Sequence, residues 1–216
     1  MASRALTRPA TVRAFAWTAV ALSVLWLGTE AVTTGLGANP VEAATHASGL
    51  FALRFLVASL ATTPLRRLGL GFLAPVRRIF GLAAFGWAAL HFSIYLAFDL
   101  GFDFGFLAED IVERPYLTLG FSAFGLLSVL AVTSTRRWQK RLARDWVRLH
   151  RLVYPAAVLA SAHFYWLVKA DVREPAFYAG AIALLLGARG TRAWKRRETR
   201  SGTASSVENA SAAPPV

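Results

Sequence analysis

The chain has 216 residues, 56% of them hydrophobic, no cysteine, one methionine and a formal net charge of +12, with a mean hydropathy of +0.45. Long apolar runs place it with membrane proteins rather than soluble domains. Its basic residues fall in short clusters between those runs, which excludes a nucleic-acid footprint. The missing cysteines exclude disulfides, thiolate-held iron–sulfur clusters, thiol catalysis and covalent cofactor attachment through a CxxCH motif; because the only methionine is Met1, a methionine metal ligand is excluded as well.

Residues 1–14 form a basic N-terminus with Arg4, Arg8 and Arg13. Apolar spans follow at about 15–34, 48–65, 79–98, 116–135, 150–168 and 176–189. A helix needs about 20 residues to cross ~30 Å of hydrocarbon, so the sixth span is short. The first span has the basic start of a secretory signal. It is too long for the usual apolar region of one and ends without an A-x-A site, so an uncleaved anchor is expected. The connection after span two carries Arg66, Arg67, Arg77 and Arg78. The one after span four carries Arg136, Arg137, Lys140, Arg141, Arg144 and Arg148, and the region after span six carries Arg189, Arg192, Lys195, Arg196, Arg197 and Arg200. The alternate connections hold Glu42; then Asp99, Asp103, Glu109, Asp110, Glu113 and Arg114; then a mixed Lys169, Asp171, Arg173 and Glu174. The positive-inside rule then gives an all-α membrane protein, a six-transmembrane-helix bundle over 15–189 with both termini cytoplasmic. Residues 190–216 read as a basic and then disordered cytoplasmic tail, rich in Ser, Ala and Pro over Ser201–Val216.

Histidines at membrane depth carry the chemistry. An ionisable residue inside a span is costly and marks function by default, and facing imidazoles on neighbouring helices can clamp a haem. His91 lies 11 residues beyond Phe80 in span three and His163 lies 13 beyond His150 in span five. At 1.5 Å per residue these are about 17 and 20 Å from the basic side, so His91 and His163 share a depth. The economical reading is one haem between spans three and five, with His91 and His163 as axial ligands to its iron. His150, near the basic side, is a candidate ligand for a second haem, but the position 13 residues before His91 is Arg78 rather than a fourth histidine. On an ideal helix His150 and His163 also fall on different faces, and Pro155 between them can rotate or kink the helix. His46 reads as a loop residue ahead of span two.

Arg54 lies two turns inside span two, where a guanidinium needs an anion or carbonyls; a haem propionate and snorkelling to the interface are the two readings. Arg77 and Arg78, with Arg148 and Arg151, are weaker candidates for propionates or a flavin phosphate, with topology and anionic lipid as the plainer explanation. Ala84, Ala88 and Ala89 on span three and Ala156, Ala157, Ala160 and Ala162 on span five leave room either for a flat macrocycle or for close helix packing. Three functions stay open on these residues: an electron-transfer haem subunit, a small transporter or proton relay using the intramembrane His and Arg, and a stand-alone ferric reductase. No internal repeat stands out in the sequence, which weighs against the transporter.

The stretches GLGANPVEAATHASG, RFLVASLATTPLRRL, RRIFGLAAFGWAALHFSIY, ERPYLTLG and LAVTSTRRWQKRLARDWVRLHRLVY, followed by SAHFYW, run in order from Gly35 to Trp166. In them the chain resembles the haem-binding membrane subunits of protein-methionine-sulfoxide reductase systems (the MsrQ/YedZ family), within the ferric-reductase-like transmembrane group. The resemblance implies a b-type cytochrome of the bacterial inner membrane, holding haem b at one or two sites, with His91, His150 and His163 at the family's histidine positions. It further implies electron delivery from the quinone pool, or from a cytoplasmic flavin reductase, to a periplasmic molybdopterin-containing methionine sulfoxide reductase. Flavin mononucleotide (FMN) is associated with the family, though no residue here marks its site. With few residues after span six and no Gly-rich dinucleotide fingerprint, no fused nucleotide-binding domain is expected, and with no thiol or molybdenum domain read in the sequence, donor and sulfoxide chemistry are expected on separate proteins. The acidic connection from Asp99 to Pro115 is the expected docking surface for the acceptor.

Overall fold

The computed structural model describes residues 9–168 and 170–189; the expectations for Arg4, Arg8, Lys169 and the 190–216 tail lie outside them. Every regular element among the described residues is helical. In chain order these are α1 (Pro9–Thr33), α2 (Pro40–Arg67), α3 (Val76–Ile94), α4 (Phe104–Glu113), α5 (Pro115–Val132), α6 (Arg136–Leu149) and α7 (Val153–Leu167), then α8 (173–189). A π turn, Tyr95–Asp99, prolongs α3, and a 3₁₀ turn, His150–Leu152, joins α6 to α7.

Four helical stretches are long and apolar enough to cross a membrane: Ala10–Thr33, Pro40–Arg67, Val76–Asp99 and Pro115–Val132. They correspond to the first four expected spans. The expected fifth and sixth correspond to α7 and α8, which are shorter. α1 turns Phe15, Leu25 and Val32 outward, at 73, 62 and 88% exposure, a surface suited to lipid rather than water.

Three local expectations are corrected. First, span two begins at Pro40 rather than near 48, so His46 is a helical residue and not part of a loop. Asn39 caps that helix: its side chain accepts from the Glu42 N–H and donates to the Glu42 carboxylate, and Pro40 takes the first turn. This reciprocal cap between Asn39 and Glu42 starts the helix in a polar stretch that hydropathy alone leaves out. Second, the basic connection after span four is helical, with a break at Ala143, whose φ is +43°. Thr135 caps α6, and Trp138 and Leu142 before the break and Trp146 and Leu149 after it are half-buried, while its Arg and Lys side chains are exposed. Likewise Asp103 caps α4 inside the acidic connection. Third, His150 is not on the helix of His163. The 3₁₀ turn ends α6, and α7 starts two residues before Pro155, where a missing N–H costs little.

Two antiparallel hairpins form the bundle. In α2–α3 the Ser59 hydroxyl donates to the Arg77 carbonyl (3.0 Å) near the basic end, and Thr45 meets His91 near the acidic end. In α5–α7 Tyr116 meets His163 at the acidic end, and across the α6 connection the Trp146 indole donates to the Thr133 carbonyl (2.9 Å). The core between them is built from Leu53, Leu56, Leu60, Trp87, Leu127, Leu130, Ala156 and Ala157, with Tyr178 and Ile182 of α8 closing one side. Ala84, Ala156 and Ala157 are fully buried in helix contacts, whereas Ala88 and Ala160 line a cavity. The alanines therefore divide between the two uses expected of them.

Candidate functional site

The cavity lies between the hairpins toward the acidic end and has a volume of about 350 Å³. Its wall is mostly apolar, with Leu53, Leu56, Phe92, Phe124, Leu127 and Phe164 among its members. His91 and His163 both line it, their ring centroids 6.3 Å apart and their planes at 81°.

Each ring is fixed the same way. The Nδ1–H of His91 donates to the Thr45 carbonyl (2.8 Å) and that of His163 to the Tyr116 carbonyl (2.7 Å). A carbonyl only accepts, so Nδ1 carries the proton and Nε2 keeps its lone pair; this is the arrangement that orients histidine ligands at metal sites. One helical turn beyond each carbonyl stands a glycine against the same ring. A Cβ on Gly49 would lie 3.0 Å from His91 Nδ1, and one on Gly120 would lie 2.7 Å from His163 Nδ1. The imidazoles occupy the volume that those glycines leave open.

The donor set favours a metal carried by a macrocycle. Among the described residues no cluster of three or more His, Cys, Asp or Glu side chains could hold a bare ion. Two imidazoles are too few for that, but they complete the coordination of an iron already held by four ring nitrogens. The centroid separation suits one metal between two rings, each metal–nitrogen bond being about 2 Å with half an imidazole behind it. The residues therefore fit a haem held by His91 and His163.

At the cavity mouth the Tyr95 hydroxyl donates to Asp110 (2.7 Å), and Arg114 pairs with the same carboxylate at 3.3 Å. These contacts pin α4 across the ends of α3 and α5. Arg114 lines the cavity. Its hydrogen bond with Tyr116 and the neighbouring Asp110 raise its pKa above the ordinary guanidinium value, so it is a fixed cation. His46 also lines the cavity, its ring 6.0 Å from that of Phe164.

The other expected site residues lie apart from this chamber. Arg54 does not line it; its Nε–H donates to the Tyr178 hydroxyl (3.0 Å), it pairs with Glu174 at 3.6 Å, and it sits over the Phe51 ring. His150 is at the basic end, stacked on Trp146 at 3.9 Å with its Nδ1–H donating to the Trp146 carbonyl. Its Nε2 is buried, with no hydrogen-bond partner among the described residues. Arg77 is half-buried and Arg78 exposed, both at that end.

Reading the sequence overlooked Gly49, Gly120, Thr45, Tyr116 and Arg114. A signal for the first four existed. Thr45 and Gly49 are four apart, as are Tyr116 and Gly120, and the partner histidines follow 46 and 47 residues after Thr45 and Tyr116. This is an internal repeat carried by spacing rather than by residue identity.

Residues 43–161 match the family model described as "Ferric reductase like transmembrane component". A protein of Xanthomonas campestris pv. campestris (strain 8004) is 50% identical over 180 residues, 83% of this chain and 81% of that one. One from Xanthomonas oryzae pv. oryzae (strain MAFF 311018) is 49% identical over 176 residues, 81% of this chain and 79% of its own. One from Rhodospirillum rubrum is 49% identical over 187 residues, 86% and 89% of the two chains. All three are named protein-methionine-sulfoxide reductase heme-binding subunit MsrQ.

Proposed function

We propose that this chain, which belongs to the ferric-reductase-like transmembrane family and to its MsrQ haem-binding subunits, is a b-type cytochrome. In this reading it passes electrons across the bacterial inner membrane to a periplasmic molybdopterin-containing methionine sulfoxide reductase. The observation that carries the proposal is the pair of cradled histidines, each with Nδ1–H tied to a backbone carbonyl and Nε2 left for iron. Bound between them, haem b supplies a one-electron carrier.

The chain's own residues do the rest. Thr45 and Tyr116 hold both imidazoles in the ligating tautomer and strengthen them as donors. The apolar wall keeps water from the iron and so tunes its potential. Arg114, on the wall, and Arg54, engaged with Glu174, are the two cations at this end suited to a propionate. α7 and α8 complete six spans, with the basic ends of the helices on the cytoplasmic side in accord with the positive-inside rule. Electrons enter at that side from quinol or a cytoplasmic flavin reductase. His150, with its unpartnered Nε2, is the candidate for a second haem there, with Arg77 and Arg78 as partners for its propionates or for FMN. The acidic connection built on α4 faces the periplasmic partner. Electron transfer to a partner's cofactor requires close approach rather than a shared chain, and α4, tied across the cavity mouth by Tyr95, Asp110 and Arg114, is the surface proposed for that approach.

The test is a reduced-minus-oxidised visible spectrum of the purified protein with haem counted per polypeptide, followed by electron delivery to the purified reductase partner. One low-spin haem per chain and partner-dependent oxidation support the proposal. No haem sinks it in favour of a relay transporter, and reduction of ferric chelates without any partner points to a stand-alone ferric reductase.

A further inference from the structure

The helix α6 carries six basic residues and a single acid in 14 residues. Arg136, Arg137, Lys140, Arg141, Arg144 and Arg148 are all exposed, and the acid, Asp145, is paired with Arg148 at 3.1 Å. The charged side chains point away from the bundle, while the tryptophans and leucines of the helix are partly covered. Both halves of α6 are tied to the end of α5. The Gln139 side-chain amide donates to the Ser134 carbonyl (3.2 Å), and the Trp146 indole donates to the Thr133 carbonyl (2.9 Å). Thr133 and Ser134 directly follow Pro115–Val132, one of the helices long and apolar enough to cross a membrane. Ties from both halves to one point keep α6 at the level where that helix leaves the hydrocarbon, rather than projecting from it into water.

Phospholipid headgroups lie at that level. Apolar side chains remain exposed there among the charges: Val132, ending α5, at 59% and Val147, between Arg144 and Arg148, at 56%. The Arg141 guanidinium stands 5.3 Å over the Trp138 ring, a cation beside an amphipathic ring of the kind that favours the membrane interface. A helix of this composition lies in the interfacial plane, with its apolar residues at the acyl boundary and its long basic side chains among the headgroups. Its surplus of positive charge is complementary to anionic headgroups. A cluster of about four to eight basic residues on an amphipathic helix is enough to enrich such lipids. An acidic soluble protein would match the charge, but neither the exposed valines nor the position at the edge of the hydrocarbon.

We propose that α6 is a docking surface for anionic phospholipid, gathering headgroups of the leaflet at the basic end of the bundle. Arg137, Lys140, Arg141 and Arg144 supply the attraction, and the neighbouring apolar side chains hold the helix against the bilayer. The surface stands independently of whether His91 and His163 hold haem.

The chain contains no cysteine, so Val147→Cys takes a bimane label at one place only. The labelled full chain is placed in phosphatidylcholine nanodiscs carrying a small, equal fraction of nitroxide-labelled phosphatidylglycerol or nitroxide-labelled phosphatidylcholine, and quenching is read at low salt. The anionic lipid is expected to quench roughly threefold more than the neutral one. The same label at Val112→Cys, an 82% exposed position on α4, should show no such preference. Replacing Arg137, Lys140, Arg141 and Arg144 together by Gln in the Val147→Cys chain should bring the two lipids to parity, whereas Lys at the three arginine positions should keep the preference. If the fourfold variant fails to fold, Arg137→Gln with Lys140→Gln, and Arg141→Gln with Arg144→Gln, are tested as pairs, and each should lower the ratio. Equal quenching by the two lipids at position 147, the same preference at positions 147 and 112, or a preference undiminished in the Gln variants overturns the proposal. Quenching by neither lipid also overturns it, because α6 then faces water and its charges are left to an acidic soluble partner.

Discussion

The hairpins α2–α3 and α5–α7 solve one problem in the same way at the acidic end and part company at the basic end. At the acidic level each offers a carbonyl, a glycine one turn on, and a histidine from the opposite helix. At the basic level α7 is preceded by His150 in a 3₁₀ turn, while the position 13 residues before His91 is Arg78, in the first turn of α3. Two equivalent imidazoles are what the proposed haem between the hairpins requires, and the repeat is present at that level. At the basic level it lapses: Arg78 stands where a fourth histidine would make the arrangement symmetric.

The largest effect that can break this comparison is loss of either acidic-level histidine. His91→Ala and His163→Ala should each abolish the low-spin haem spectrum; a full low-spin signal in either variant would show that the pairing is wrong. Next come the cradles. Gly120→Ala drives a methyl to 2.7 Å from His163 Nδ1, and Gly49→Ala to 3.0 Å from His91 Nδ1. Such overpacking costs about 1–3 kcal/mol. Haem retained per polypeptide should therefore fall in both, further in Gly120→Ala, as measured by the pyridine haemochrome assay. Equal retention in the two glycine variants and wild type would mean that the rings have room the structure does not show.

Arg54 tests a smaller feature, the charged side chain through which the first hairpin leans on α8. Its ion pair with Glu174 is nearly half exposed on both sides and so adds little by itself, whereas the bond to Tyr178 is part-buried. Arg54→Met should lower unfolding stability by about 1 kcal/mol and leave the haem spectrum in place if its role is to tie α8 to α2. Haem loss would instead assign it to a propionate. The smallest expected change is from His150→Ala, which should leave the acidic-level haem spectrum unaltered while slowing electron entry from the donor side, read by stopped-flow reduction.

Much of the architecture was legible before any coordinates. Apolar runs located the first four spans, because lipid leaves the backbone no option but to satisfy itself within a helix. Charge alternation along the chain divided the connections into basic and acidic sets. The pairing of His91 with His163 followed from counting residues at a fixed rise per residue. Less visible were the helices α4 and α6, whose polar residues hide them from hydropathy although their caps, Asp103 and Thr135, stand in plain sight. His150 was placed on a continuous helix because a proline marks where a break can occur but not on which side the chain takes it.

By itself, then, the sequence determined which four helices are long and apolar enough to cross a membrane and which two imidazoles lie at one level of the bundle, since both depend only on local hydrophobicity and helical rise. Tertiary structure decided what each side chain meets on another helix. It set Gly49 and Gly120 against the two histidine rings, turned Arg54 toward Glu174 and Tyr178 rather than into the cavity, and laid Arg189 over the Tyr154 ring with its Nη2 on the Leu60 carbonyl. Those outcomes depend on the rotation of each helix about its own axis, which is fixed by the packing of neighbours distant in the chain and leaves no periodic trace within any one segment.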